Sequence, residues 1–159
     1  MYTLIKLIHI GSLIFWIGPA LGSWLVLTYS QKLTGEESAS TKLVYRVFFF
    51  TLSLEHIALA ALLSSGAIMA FHFGHWPAQW LQWKLLIIAA VIVPIELIDI
   101  GLGNWKVKQL IEKRSHGEKL SASEHKLIHY YHYYFTTFAI AVLPFTVFAI
   151  MWLAIAKGL

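Results

Sequence analysis

The sequence contains no cysteine. That excludes disulfides, thiolate metal sites, iron–sulfur clusters and thiol nucleophiles. Charge is scarce as well: Asp, Glu, Lys and Arg make up only 13% of the 159 residues. Soluble domains carry roughly twice that share, so this chain could hardly cover a soluble core. No internal repeat or low-complexity segment is evident. No phosphate-binding loop occurs, and no serine elbow accompanies Asp99 and the histidines to suggest a Ser/His/Asp triad. Nucleic acid finds no aromatic–basic surface to meet.

What is present is apolar. Hydrophobic residues reach 58%, and the mean hydropathy is +0.69. Four apolar runs, about 2–29, 44–71, 80–103 and 127–156, each exceed the ~20 residues that cross a hydrocarbon core. The expectation is an all-α integral membrane four-helix bundle, one transmembrane domain over 1–159. The third linker predicts a helix extension followed by a turn at Gly117. Its SASE, Ser121 to Glu124, is a capping-box pattern opening the fourth helix.

Basic residues are uneven. Lys32, Lys42 and Arg46 flank the first linker, and Lys106, Lys108, Lys113, Arg114 and Lys119 crowd the third. The opposite side has only Lys6, Lys84 and Lys157. The positive-inside rule makes linkers one and three cytoplasmic and both termini external, in a bacterial-type inner membrane. A cleaved signal peptide is not expected, since one Lys precedes the apolar run and no A-x-A site follows it. Gly18 and Gly22, and Ala60 and Ser64, have the small-xxx-small spacing of close helix packing. Pro19, Pro94 and Pro144 predict kinks, because each frees a carbonyl one turn earlier.

Titratable groups inside a membrane are functional-site hypotheses. His9 lies ~10 Å and Lys84 ~6 Å from the outer surface at 1.5 Å per residue. They predict an outer layer, rimmed by His72, His75, Trp76, Trp80 and Trp83. His9 shares a helix face with Ser12, Leu13 and Trp16. A flat aromatic wall beside an imidazole suits a porphyrin, and it also suits ordinary packing. A histidine bonded to a neighbouring helix carbonyl or hydroxyl is the plain alternative for His9; snorkelling is the alternative for Lys84.

Glu55, His56, Glu96, Asp99, His129 and His132 predict a second, cytoplasmic-half layer. His125, His129 and His132 fall on one α-helical face, as do Glu96 and Asp99. Carboxylates with imidazoles suit zinc, iron or manganese. A hydrogen-bonded network between helices and a proton relay are the other readings. His9 and His56 differ in depth by roughly 10 Å, whereas the axial ligands of one haem lie about 4 Å apart. Two separate layers follow. His72, His75, His116 and His125 fall near the interfaces, where solvated histidine is expected, and Tyr130, Tyr131, Tyr133 and Tyr134 read as belt and packing residues.

The stretch KLIHIGSLIFWIG resembles the first-helix pattern of the HemJ-type protoporphyrinogen oxidases. WLQWKLLIIAAV resembles the start of that family's third helix. YRVFFF and the closing LPFTVFAIMWLAIAKGL resemble corresponding segments, the last also similar to four-helix membrane proteins related to HemJ and to the CopD membrane domain. The resemblance implies a b-type haem and a redox role, with His9 as axial ligand, Lys84 as the functional lysine and Trp16 beside the cofactor. It also implies a porphyrin or quinone partner within the lipid bilayer, and it leaves homo-oligomer formation open. The inner layer is richer than the resemblance accounts for, and a metal ion or second haem there is the rival expectation. A third expectation is a structural membrane protein whose polar residues only hold its helices together.

Overall fold

In the computed structural model, residues 1–35, 38–73 and 76–156 are described. His75 and Lys157, placed above on the external side, lie outside the described residues. Four long helices run Tyr2–Thr34 (α1), Ala39–His72 (α2), Gln79–Ser115 (α3) and Ala122–Ile155 (α4). All four are long and apolar enough to cross a membrane, so this is an integral membrane protein with the expected helical architecture. Their exposed Leu, Ile, Val and Phe residues are the surface a bilayer solvates.

The helices outrun their apolar stretches at the end carrying linkers one and three, called here the linker end. The 37 residues of α3 span ~55 Å, well beyond a ~30 Å hydrocarbon core. Each extension ends for a local reason. At Gly35, φ of 80° closes α1. Ser38 then caps α2 by accepting from the Thr41 amide. Gly117, at φ +83°, turns the chain after α3. Ser121 and Glu124 form the predicted capping box in both directions, and the helix opens at Ala122 rather than at 127.

Two apolar cores fill the bundle. One, at the linker end, gathers Leu27, Tyr45, Phe48, Leu52, Ile95, Val107 and Tyr131. The other, toward the end bearing the termini, gathers Trp16, Ala58, Leu59, Leu62, Ile92 and Val147. On α2 the seam between them falls at Glu55 and His56, between Leu52 and Ala58. The expected small-residue packing is not used within the chain. Gly18, Gly22, Ala60 and Ser64 are exposed, and a Cβ added at Gly18 or Gly22 would meet nothing within 4 Å.

Three stretches are π-wound: Ile88–Ile92 and Ile100–Val107 in α3, and Tyr130–Phe135 in α4. The first precedes Pro94, which cannot donate to the helix ladder, so a widened turn there replaces a missing bond. In α4 the disturbed carbonyls are satisfied from outside the ladder. Thr136 Oγ1 donates to the Tyr131 carbonyl at 2.8 Å, and the Trp24 indole donates to that of His132 at 3.2 Å.

Candidate functional site

The terminal end holds a cavity of about 520 Å³ between α1, α2, α3 and α4. That lies within the range of small-molecule and cofactor pockets. Its walls are aliphatic and aromatic, with Trp76 and Trp80 at the rim and Leu59, Leu62 and Val147 deeper. Among the described residues, its titratable nitrogen groups are His9, Lys6 and Lys84. Of the predicted outer layer, His9 and Lys84 line one space together with Trp16, Trp76 and Trp80, whereas His72 and Trp83 are not among the lining residues. Leu13 joins them on the same wall, whereas Ser12 is not among the lining residues.

Among the described residues, His9 is held from one side only. Its Nδ1 lies 2.9 Å from the Leu62 carbonyl and 3.1 Å from Ser65 Oγ. A carbonyl oxygen can only accept, so Nδ1 carries the proton and Nε2 keeps its lone pair. This second-partner arrangement is the one that orients ligating histidines. The ring can approach α2 because residue 66 is glycine. A Cβ there would sit 3.1 Å from His9 Cε1 and 3.5 Å from Nδ1. The plain reading of His9 and the ligand reading thus coexist in one geometry: one nitrogen is bonded to a neighbouring helix and, among the described residues, the other is available.

Below the cavity lies the seam cluster. His56 Nε2 is 3.4 Å from Glu96 Oε2 and 3.3 Å from Asp99 Oδ2, without the alignment of a hydrogen bond. On its other edge, Asn104 Nδ2 lies 3.0 Å from His56 Nδ1. An amide nitrogen can only donate, so Nδ1 accepts and the ring proton sits on Nε2, toward the carboxylates. The Tyr131 hydroxyl donates to Asp99 Oδ1 at 2.8 Å. The π-winding of α3 makes this convergence: its i→i+5 ladder brings residues five apart, such as Asp99 and Asn104, toward one side. Glu55 is buried beside them, with Oε1 unpaired among the described residues. Among the described residues, no set of three or more His, Asp or Glu side chains is arranged to hold a metal ion.

Trp16 joins the two layers. Its indole lines the cavity, and its Nε1 donates to Glu96 Oε1 at 2.8 Å. The sequence reading put Trp16 with His9 alone.

Two predicted members of the inner layer stand apart. His129 is exposed, its ring 4.5 Å from that of Tyr133. His132 is buried at 1% exposure, caged by Tyr45, Phe48 and Tyr131. Neither of its nitrogens has a hydrogen-bond partner among the described residues. The face predicted for His125, His129 and His132 assumed 3.6 residues per turn, and the π-turn that begins at Tyr130 breaks that phase. Ser65, Gly66, Asn104 and Tyr131 are site residues that sequence reasoning missed. Of these only Tyr131 and Asn104 had a usable signal, as polar groups close in sequence to residues already singled out.

A family model matches residues 3–158, nearly the whole chain, and its family is described as predicted integral membrane protein (DUF2269). No curated protein matches the chain, and no solved structure does. The chain belongs to the DUF2269 family of predicted integral membrane proteins.

Proposed function

We propose that this family member is a membrane haem-binding protein with a redox role, its cofactor seated in the cavity that His9, Trp16 and Lys84 line. One observation carries the reading: the hydrogen bond from His9 Nδ1 to the Leu62 carbonyl. It leaves Nε2 as a lone-pair donor on a ring lining an apolar cavity of about 520 Å³. The residues fit the group. Imidazole suits iron, apolar and aromatic walls suit a macrocycle, and Lys84 and Lys6 supply cations for its carboxylates. A bound b-type haem would supply one-electron exchange at its iron.

The chain's own contribution is to orient and insulate. The Leu62 carbonyl, Ser65 and Gly66 fix the plane of His9. Trp16 closes the deep side of the cavity and keeps the seam carboxylates on its far side. Lys84 neutralises an anion near the external surface. A porphyrinogen, or a quinone arriving through the bilayer, is the redox partner this arrangement suits, with the termini external and linkers one and three cytoplasmic.

Purification in mild detergent tests the reading. The expected preparation is red, with a Soret band that moves on reduction. His9→Ala should abolish the band, and Lys84→Gln should weaken haem retention. Colourless protein, even after the cofactor is supplied during expression, overturns the proposal. The rival metal-ion protein predicts stoichiometric zinc, iron or manganese that His56→Ala removes. A purely structural role predicts neither haem nor metal.

A further inference from the structure

The seam cluster plays no part in holding the cavity's occupant, and its geometry has a pattern of its own. Two carboxylates of α3 are each anchored by one oxygen. The Trp16 indole of α1 donates to Glu96 Oε1 at 2.8 Å, and the Tyr131 hydroxyl of α4 donates to Asp99 Oδ1 at 2.8 Å. Their second oxygens, Glu96 Oε2 and Asp99 Oδ2, meet at one atom, His56 Nε2, at 3.4 and 3.3 Å. A single N–H there stands between two acceptors and is aligned on neither. The other edge of the ring is equally adaptable. Asn104 faces Nδ1 with its amide nitrogen at 3.0 Å, while its Oδ1 is buried with no partner among the described residues. Turning that amide over replaces a donor by an acceptor, and Nδ1 can then carry a proton.

Charge decides what such a site takes. Glu55 of α2 faces Asp99 and Glu96. It is only 7% exposed, and its Oε1 has no partner among the described residues. Three carboxylates and one imidazole therefore meet between apolar helices. With all three carboxylates ionised, even an imidazolium leaves an excess of two negative charges (three against one). The seam is faced by Trp16 from α1, by Asn104 from α3 beside its two carboxylates, and by Tyr131 from α4. The Lys and Arg residues nearest to it along the four helices, Lys6, Arg46, Lys106 and Lys126, are all exposed. Uncompensated charge buried in a membrane protein is costly. Among the described residues, no three of these groups are arranged around a metal ion. A proton neutralises charge without needing a coordination shell.

We infer that the seam is a proton-binding site, in which one labile proton is shared by His56 and the carboxyl groups of Glu55, Glu96 and Asp99, with the Asn104 amide turning to match. The site is independent of the haem reading and is tested without any cofactor. Full-length protein in mild detergent, with a chelator present, is followed by infrared difference spectroscopy. The pH is stepped from about 8 to about 6, above the range in which exposed carboxylates bind protons. The wild type should gain a carboxylic-acid carbonyl band that shifts in D2O. Glu96→Gln should lower that gain roughly twofold, as expected where coupled groups share one proton. Glu112→Gln, on the exposed surface of α3, should leave it unchanged. His56→Gln removes one sharer, so the band should stand at full height already at about pH 8. Where Glu96→Gln fails to fold, Asp99→Asn carries the same comparison, and the wild-type step needs no variant. A wild type with no D2O-sensitive carboxylic-acid band across the step overturns the inference. So does a gain that either Glu96→Gln or His56→Gln leaves unchanged, or that Glu112→Gln lowers equally.

Discussion

Replacing Gly103 by alanine should destabilise the protein, against the usual sign of that change. In an ordinary helix alanine gains about 0.5–1 kcal/mol over glycine. Here the new Cβ would lie 2.7 Å from Cζ and 3.0 Å from Cε2 of Tyr131. The ring has nowhere to withdraw. It is fully buried, stacked on Phe135 and tied by its hydroxyl to Asp99 at 2.8 Å. Overpacking costs typically about 1–3 kcal/mol, and stranding a buried hydrogen-bonding group costs about 1–3 kcal/mol more. Set against the helix gain, a net loss of about 2–4 kcal/mol follows. At ≈ 2–4 °C per kcal/mol for a chain of this size, the melting temperature should fall by roughly 5–15 °C. Intrinsic fluorescence of the seven tryptophans during heating in mild detergent reads it directly. A control isolates the cause: in a Tyr131→Leu background the same alanine should cost less than about 1 kcal/mol, because the colliding ring is gone. A Gly103→Ala protein as stable as wild type, or an equal cost in both backgrounds, would refute the reasoning.

Three further outcomes follow from the same contacts. His132→Phe removes two buried nitrogens that are unpaired among the described residues from an aromatic cage, so thermal unfolding should show it neutral or stabilised by about 1–2 kcal/mol. A loss above 1 kcal/mol would mean that the imidazole has a partner. Ser121→Ala deletes one half of the capping box and should cost about 1 kcal/mol, read as a lower Tm; an unchanged Tm would show that the end of α4 is held by other contacts. Ser65→Ala takes away one of the two groups beside His9 Nδ1, and haem affinity by absorbance titration should fall about 10-fold if His9 is a ligand, as losses of ligand-orienting partners do. Unchanged affinity would place the cofactor elsewhere.

Much of the architecture was legible because the bilayer makes it so. Apolar runs longer than 20 residues have one solution in lipid, and the capping box and the Gly117 turn are local chemistry. Counting depth along straight helices separates His9 from His56, and that separation holds, since His9 meets α2 at Leu62, six residues along that helix from His56. What failed was anything that depended on rotation about a helix axis. The α-helical spacing predicts an inward His129, yet it points outward, because no local sequence pattern announces the π-turn beside it. Gly66 and Ser65 escaped notice because their roles arise only when α1 lies against α2. Gly18 and Gly22 drew attention by spacing alone, and the helix leaves them facing outward. The boundaries at the linker end were set too short, since hydropathy marks where lipid stops and the helices continue on polar residues.

The two π-wound tracts of α3 bracket Val93–Asp99, the segment that carries the two seam carboxylates of that helix, Glu96 and Asp99. Each tract absorbs roughly one residue more per turn than the α-helix around it. The half with Lys84, the carboxylate segment and the basic half with Arg114 are therefore set in rotational phase by residue number rather than by side-chain identity. Deleting a single residue from Ile88–Ile92 would turn Lys84 by about 100° relative to Glu96, and the same deletion within Ile100–Val107 would turn Arg114 relative to Asp99. Each half of this helix can be re-aimed without altering any residue that lines a site, so among relatives single-residue length differences in these tracts would change what the sites face more than most substitutions do.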